Sequence, residues 1–169
     1  MRVEFNTMPP DARLWIFAAE RPLHDGEQQR LLESVDAFLD EWKAHGHPLS
    51  AARELRYGQF LLVAVDEAAT GASGCSIDAM VRSLSALEHD LGVELVNNTP
   101  VLYRTDSGIQ RVSRPEFAER ARRAEVTPDT TVFNNTLTRV AELQEGRWET
   151  PARHSWHARA FFAPQPVER

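Results

Sequence analysis

The sequence feature that most restricts the fold is the apolar run Phe60–Val65, six residues without a polar side chain. A strand without polar alternation has both of its faces buried, so this run predicts a central strand of a sheet. The small-residue segment Gly71–Asp78 follows it and leads into an amphipathic helix. Loops that join a buried strand to a helix N-terminus often bind anions or position a nucleophile. This strand-to-helix corner is therefore the first candidate site.

The remaining elements are predicted from hydrophobic periodicity and capping residues. Leu31, Val35 and Leu39 recur at helical spacing in the first helix, and Asp25 with Gln28 matches a capping box. In order, the pattern predicts a strand over 13–19, a helix from Asp25 to Gly46, a hairpin over 53–66 reversing at Gly58–Gln59, a helix over 77–91 closed by Gly92, a hairpin of 101–104 with 109–112, a helix capped by Ser113 and running to about Ala124, and a strand over 131–133.

The first six of these elements follow the split βαβ order. We therefore predict an α+β fold, a ferredoxin-like sandwich with an additional C-terminal strand and a packed tail. The tail is expected to pack because it carries Trp148, Trp156 and the pair Phe161–Phe162. A chain of 169 residues without a linker is expected to form a single domain over 1–169.

Composition excludes several classes of protein. The net charge is −6, and the only basic stripe is the short one at Arg120–Arg123, so the composition predicts that nucleic acid is not the main partner. No apolar run has the roughly 18 residues that a membrane helix needs, and the N-terminal sequence lacks a secretory signal pattern. With one cysteine, no internal disulfide can form. We expect a cytoplasmic monomer or homodimer without a cofactor, whose partner is an unknown small molecule or protein.

Several short motifs occur together and in a fixed order. They are Ala44-His45-Gly46, Val65-Asp66-Glu67, the segment from Gly71 to Asp78, Val132-Phe133-Asn134-Asn135 and Ser155-Trp156-His157-Ala158-Arg159. This combination resembles a small family of uncharacterised bacterial proteins, common in Bacteroidetes and related groups, whose members often carry the label "ABC transporter ATPase". The resemblance covers nearly the whole chain, and the glycine–cysteine–serine segment is its most specific part.

The residues do not support ATPase chemistry. A phosphate-binding loop needs four residues between its glycines, followed by lysine and a hydroxyl residue that bind the phosphates and magnesium. Gly71 and Gly74 have two residues between them, and the segment contains no lysine. The chain offers no other candidate loop.

Cys75 is the candidate nucleophile of the corner. Amides at a helix N-terminus favour a thiolate, so Cys75 is interpreted either as a reactive thiol or as a small buried core residue. The other ligand-binding candidates here are Gly71, Ser73, Gly74, Ser76 and Asp78. Capping is the preferred explanation of the two serines and Asp78, although a helix cap and an anion site can use the same amides.

The histidines and a pair of asparagines complete the candidates. His154 and His157 are possible bases for Cys75, as is His45. If the tail folds over the end of the first helix, a metal site could form from His45, His47, His154 and His157, although no zinc signature supports it. Asn134 and Asn135 could bind a polar ligand or form a turn.

Three classes of function remain open. The leading one is a small-ligand binding or regulatory module centred on the Gly71–Asp78 corner. The alternatives are a cysteine-dependent enzyme that uses Cys75 and a structural or interaction protein without a pocket. The binding module ranks first because no recognisable catalytic triad pattern accompanies the cysteine.

The missing phosphate-binding lysine generates a first prediction. The purified protein should neither bind nor hydrolyse ATP in the presence of magnesium, because nothing in the corner can hold the β- and γ-phosphates. Isothermal titration with Mg-ATP and a phosphate-release assay measure this. Saturable binding at micromolar nucleotide would contradict it.

Overall fold

A computed structural model describes residues 1–44, 46–68 and 77–163. Its strands are β1 Arg13–Ala18, β2 Lys43–Ala44, β3 His47–Pro48, β4 Ser50–Arg56, β5 Phe60–Asp66, β6 Val101–Thr105, β7 Gly108–Val112, β8 Thr131–Phe133 and β9 Glu149–Pro151. Its α-helices are α1 Asp25–Glu41, α2 Asp78–Leu91, α3 Arg114–Arg122 and α4 Val140–Gln144. Single turns of 3-10 helix lie at Phe5–Thr7 and Ala152–His154, and a π-helical turn lies at Ala158–Phe162.

The protein is a mixed α and β structure that divides into two compact units. Unit 1 consists of Met1–Asn97 and Asn135–Gln144, and unit 2 consists of Asn98–Asn134 and Glu145–Arg169. Each unit has its own antiparallel sheet. The sequence-based expectation of one domain over 1–169 stays a prediction.

Unit 1 is built around β5, as the apolar run predicts. The strand order is β1-β5-β4, and both neighbours are antiparallel to β5. All six residues from Phe60 to Val65 are at most 3% exposed, which confirms the central position of this strand. The helices α1 and α2 contribute Leu31, Val35 and Leu84 to the core on one face of the sheet. None of the helices in the described residues is long and apolar enough to cross a membrane.

The start of α1 differs by one residue from the prediction. The N-cap is His24, not Asp25, and its N–H donates to the Glu27 carboxylate at 2.9 Å. Arg21 also binds Glu27 at 2.8 and 2.9 Å, and these two donors lower the pKa of Glu27 to about 2. Gln28, the predicted box residue, instead donates to the Leu23 carbonyl at 2.9 Å. The ionised carboxylate is the stronger acceptor for the cap, which explains the shift.

The predicted end of α1 at Gly46 is also wrong. The helix ends at Glu41, because Trp42 is extended and its carbonyl accepts from the Leu49 N–H at 3.1 Å. Gly46 has φ of 78° and lies in the turn between β2 and β3 rather than at a helix C-terminus. Trp42 is buried against Trp15 and Phe38, with ring centroids 6.0 and 5.2 Å away.

The ferredoxin-like order is met only in part. The sequence order predicts that the strand at 101–104 pairs beside β1 as the fourth strand of the same sheet. Instead, β6 lies in the sheet of unit 2, whose order is β7-β6-β8-β9. At the free edge of β1, Arg13 forms an isolated bridge with Arg139, and the Leu14 N–H donates to the Thr138 carbonyl at 2.9 Å. A short segment after residue 134 therefore pairs where the fourth strand is expected.

Unit 2 contains the predicted hairpin, helix and packed tail. The β6–β7 hairpin and β8 form as expected, and β9 is an additional strand that pairs with β8. Trp148 is 3% exposed, and the π-helical turn packs beside α3, so the tail is part of the core of this unit. Phe117 of α3 lies at the centre of that core, with its ring centroid 5.3 Å from Tyr103 and 4.8 Å from Phe161.

The cap of α3 generates a second prediction. The Ser113 hydroxyl accepts from the Glu116 N–H at 3.2 Å, and Pro115 lies in the first turn. Ser113→Ala should lower the free energy of unfolding by about 0.5–2 kcal/mol, because it leaves this amide without its acceptor. Urea denaturation followed by circular dichroism measures the change.

Ser85→Ala is the matched control, because Ser85 is exposed inside α2. Alanine has a higher helix propensity than serine, so this substitution should be neutral or slightly stabilising. Equal destabilisation by the two substitutions would refute the role of Ser113.

Candidate ligand-binding site

Most of the predicted corner lies outside the described residues. This applies to Gly71, Ser73, Gly74, Cys75 and Ser76, and also to His45. The described structure resumes at Ile77, which is the N-cap of α2, and Asp78 opens the helix. An isoleucine side chain has no acceptor for the first amides, whereas a carboxylate in the first turn complements the helix dipole.

The structure places one predicted residue, His157, at the centre of an unusual buried cluster in unit 2. Its side chain is fully buried. The local chain positions it tightly: the Ser155 N–H donates to the Ala152 carbonyl, and the Ala158 N–H donates to the Ser155 carbonyl, both at 3.1 Å. The residue thus lies between the 3-10 turn and the π-helical turn, where short local hydrogen bonds hold the backbone.

Aromatic rings surround the imidazole. Trp156 stacks on it with a centroid separation of 3.9 Å and an interplanar angle of 26°. Phe117 meets the imidazole edge-on at 6.2 Å, and Phe161 lies at the same distance. We refer to Ser155, Trp156 and His157 with Arg114 and Phe117 as the His157 cluster.

Two buried nitrogen atoms in this cluster lack a hydrogen-bond partner among the described residues. They are Nε2 of His157 and Nε1 of Trp156. The other imidazole nitrogen, Nδ1, lies 2.8 Å from the Ser155 hydroxyl. A buried polar group without a partner costs about 1–3 kcal/mol, so two of them on stacked rings call for an explanation. An acceptor bound at this position would supply one.

Burial and a nearby cation keep His157 neutral. Burial lowers the pKa of His157 from its usual 6.5 to about 4, and the positive charge of Arg114 contributes in the same direction. The guanidinium of Arg114 lies 4.9 Å from the centroid of the Trp156 ring, and its Nε donates to the Thr99 carbonyl at 3.0 Å. Neither cause of the shift is a carboxylate, so among the described residues no acidic side chain stabilises a protonated imidazole.

This arrangement favours binding over catalysis. A general base works best with a pKa near the operating pH and an orienting carboxylate; the pKa of His157 is about 4, and no carboxylate in the described part of the chain orients its ring. When Nδ1 accepts from the Ser155 O–H, the neutral imidazole presents Nε2–H as a donor. The Trp156 indole is a donor only. With this tautomer the pair offers two N–H donors to a ligand.

The other predicted site residues are not part of this cluster. His154 is exposed in its 3-10 turn, and His47 is exposed in β3. Within the residues that the structure describes, no three His, Cys, Asp or Glu side chains are placed to hold a metal ion. Asn134 is half-buried and donates its N–H to the Trp148 carbonyl at 2.7 Å. Asn135, also half-buried, begins the segment that belongs to unit 1.

Sequence reasoning missed the roles of Ser155, Trp156 and Arg114. Ser155 and His157 are two positions apart in the sequence. Because the sequence does not give the conformation of the tail, this spacing does not predict the contact between the Ser155 hydroxyl and Nδ1 of His157. Arg114 carries no pattern of its own, because it is simply the residue after the Ser113 cap. Its position over the indole depends on the packing of α3 against the tail.

The low pKa of His157 generates a third prediction. Between pH 6.5 and 4 the unfolded chain binds a proton at this position and the folded protein does not, so stability should fall as the pH falls. A depression from 6.5 to about 4 corresponds to at most about 3 kcal/mol for this residue. His157→Phe should remove this part of the pH dependence, measured as the free energy of unfolding from pH 7 to 4.

His154→Gln is the control for this experiment. His154 is exposed, so its substitution should leave the pH profile of the wild type unchanged. NMR titration provides a direct check, because the ring protons of His157 should not shift until the pH approaches 4. A titration midpoint near 6.5 would show that the imidazole is hydrated and would contradict the prediction.

The chain was compared with protein-family models, with curated proteins and with solved structures, and none of these comparisons found a match. The resemblance that its motifs indicate therefore stays a prediction. The function has to be argued from the residues of the site and their geometry.

Proposed function

We propose that the protein is a small-ligand binding or regulatory module, and that the Trp156–His157 pair binds an oxygen-bearing ligand in unit 2. The observation that carries this proposal is the pair of buried nitrogens, Nε1 of Trp156 and Nε2 of His157, which have no partner in the described residues. Natural proteins rarely leave such groups unsatisfied, and a bound ligand with acceptor oxygens would satisfy them.

The charge around the pair favours an anionic acceptor such as a carboxylate. Arg114 lies against Trp156 and acts electrostatically on His157. Unit 2 as a whole carries ten arginines against eight acidic residues, although the chain has a net charge of −6. A guanidinium and two N–H donors next to each other are a combination that proteins use for carboxylates and phosphates.

The Gly71–Asp78 corner stays a predicted second position for a ligand. The cysteine-dependent enzyme is less well supported, because His157, one of its candidate bases, is buried and has its pKa lowered to about 4. The imidazole is then neutral at pH 7 but too weak a base to activate a thiol efficiently. The ferredoxin-like fold likewise stays a proposal, restricted to unit 1, in which β1, β5 and β4 have the order and directions that this fold requires.

The proposal predicts a response of one indole N–H to small anions. The chain has four tryptophans, so each indole gives its own resonance in a proton–nitrogen NMR spectrum, and Trp156→Phe identifies that of Trp156. Titration with acetate, lactate and inorganic phosphate should shift the Trp156 resonance saturably and leave the other three in place. His157→Phe should weaken the binding about tenfold, because it removes one of the two donors.

His154→Gln is the matched control, since His154 is exposed, and it should bind as the wild type does. Two results would refute the proposal. One is a Trp156 indole that responds to none of the three anions, with no small molecule retained in native mass spectrometry. The other is a resonance that moves when residues 164–169 are removed and not when an anion is added, because the acceptor then belongs to the chain itself.

A further inference from the structure

The groups that cover the Trp156–His157 pair limit how a ligand can reach it. Nε1 of Trp156 and Nε2 of His157 are both buried, and neither nitrogen is in contact with solvent. An acceptor atom has to come within about 3 Å of such a nitrogen to form a hydrogen bond. A group that now covers the pair must therefore move when a ligand enters.

Two of the rings in the His157 cluster are poorly suited to move. Phe117 is fully buried in α3, and its ring packs edge-on against the buried Tyr103 at 5.3 Å, so moving it would open the core of unit 2. Trp156 contacts the imidazole of His157 at 3.9 Å and the guanidinium of Arg114 at 4.9 Å. Moving Trp156 would break both contacts and remove one of the two donors from the site.

Phe161 can move without breaking the site. Its ring contacts each of the other rings, with centroids 4.8 Å from Phe117, 5.8 Å from Trp156 and 6.2 Å from His157. Unlike Phe117 and His157, Phe161 is only half-buried. Displacing its ring would open the cluster from the solvent side and leave the stack of Trp156 on His157 intact.

The segment that carries Phe161 is bound less firmly than the core. It is the π-helical turn Ala158–Phe162, which contains no buried residue, and Arg159 and Ala160 within it are exposed. Segments with few buried apolar contacts open at a lower free energy than the core, because their opening exposes little apolar surface. Single π-helical turns are rare and occur frequently at functional sites.

The residues before this turn stay in place when it opens. His157 is fully buried, and its Nδ1 lies 2.8 Å from the Ser155 hydroxyl. The turn is joined to the pair through the Ala160 N–H, which donates to the Trp156 carbonyl at 3.2 Å. A change of main-chain conformation that begins at Ala158 would therefore displace Phe161 while both donors keep their positions.

Building on the proposed function, we propose that the turn Ala158–Phe162 is a lid over the Trp156–His157 pair and that Phe161 is the side chain that closes it. A ligand enters while the turn is open, and the turn then closes over it. Closure excludes water from the two N–H groups, which strengthens their hydrogen bonds to the ligand.

Hydrogen exchange of the Trp156 indole N–H tests the lid in the absence of a ligand, because this proton exchanges only while solvent reaches it. The reference is the main-chain amide of Tyr103, which lies inside the sheet of unit 2 and is expected to exchange when the whole unit unfolds. With each rate divided by its value in the unfolded chain, the indole should exchange at least about tenfold faster than the reference.

Phe161→Ala is the variant that opens the lid. It should raise the exchange rate of the Trp156 indole about tenfold, and the association rate of acetate, obtained from NMR line shapes, by a similar factor. Phe161→Leu keeps an apolar cover and should raise both rates less.

Val132→Ala is the matched control. Val132 is fully buried in β8, outside the turn, so its truncation lowers the stability of the whole unit. It should speed up the exchange of the Tyr103 amide and leave that of the Trp156 indole unchanged, because the turn opens without unfolding of the sheet.

Three results would overturn the lid. They are an indole as strongly protected as the Tyr103 amide, an indole exchange rate that Phe161→Ala does not change, and equal acceleration of that rate by Val132→Ala. If Phe161→Ala does not fold, the comparison within the wild type and Phe161→Leu decide the question.

Failure of the lid and failure of the proposed function give different results. If Phe161→Ala speeds up the indole exchange but no anion shifts the Trp156 resonance in either protein, the opening of the turn stands and the proposed function is refuted. If acetate binds and its association rate is the same in the wild type and in Phe161→Ala, the proposed function stands and the lid is refuted.

Discussion

The burial of β5 is the constraint on which the rest of unit 1 depends. Inside the sheet no water can satisfy its main chain, so each N–H and C=O needs a partner from β1 or β4. Val63 illustrates this, because Trp15 lies opposite it on one side and Arg53 on the other. Because β1 and β4 are the two neighbours of β5 in a three-stranded sheet, both of them are edge strands. The chain then partly covers each edge, with Thr138–Arg139 beside β1 and Met1–Val3 beside β4.

The sequence predicted the elements whose signal is local. Leu31, Val35 and Leu39 are buried as the helical spacing requires, and Ser113 caps α3 as its residue type indicates. The predictions were wrong where a contact between residues distant in the sequence determines the structure. Trp42 continues the helical stripe of α1, yet its main chain pairs with Leu49 and the helix ends before it. No residue within α1 predicts the hydrogen bond between Trp42 and Leu49, and the predicted helix end at Gly46 was therefore wrong.

A non-local contact also explains why the predicted fourth strand, β6, lies in the sheet of unit 2. β6 has the β-branched and aromatic residues typical of a strand and forms one, but its own residues do not predict which sheet it joins. Tyr103 decides in favour of unit 2, because its ring packs against Phe117 and its hydroxyl accepts from Arg120 at 2.5 Å. The candidate site was predictable to a similar degree. His157 could be named from the sequence, whereas its contact with Ser155 and the position of Arg114 depend on how the tail packs on α3.

The state of His157 determines what kind of recognition this cluster can perform. Binding of an anion and protonation of the imidazole would support each other, because opposite charges stabilise one another. The folded pKa of about 4 lies far below neutral pH, so an anion would have to raise the pKa by about three units before His157 was half-protonated at pH 7. On the proposed function, the pair recognises an acceptor through the direction of two neutral N–H groups, and the positive charge beside them comes from Arg114. A ligand with the right charge and the wrong geometry would gain little from such a site, since a buried donor is satisfied only by an acceptor atom within hydrogen-bond distance.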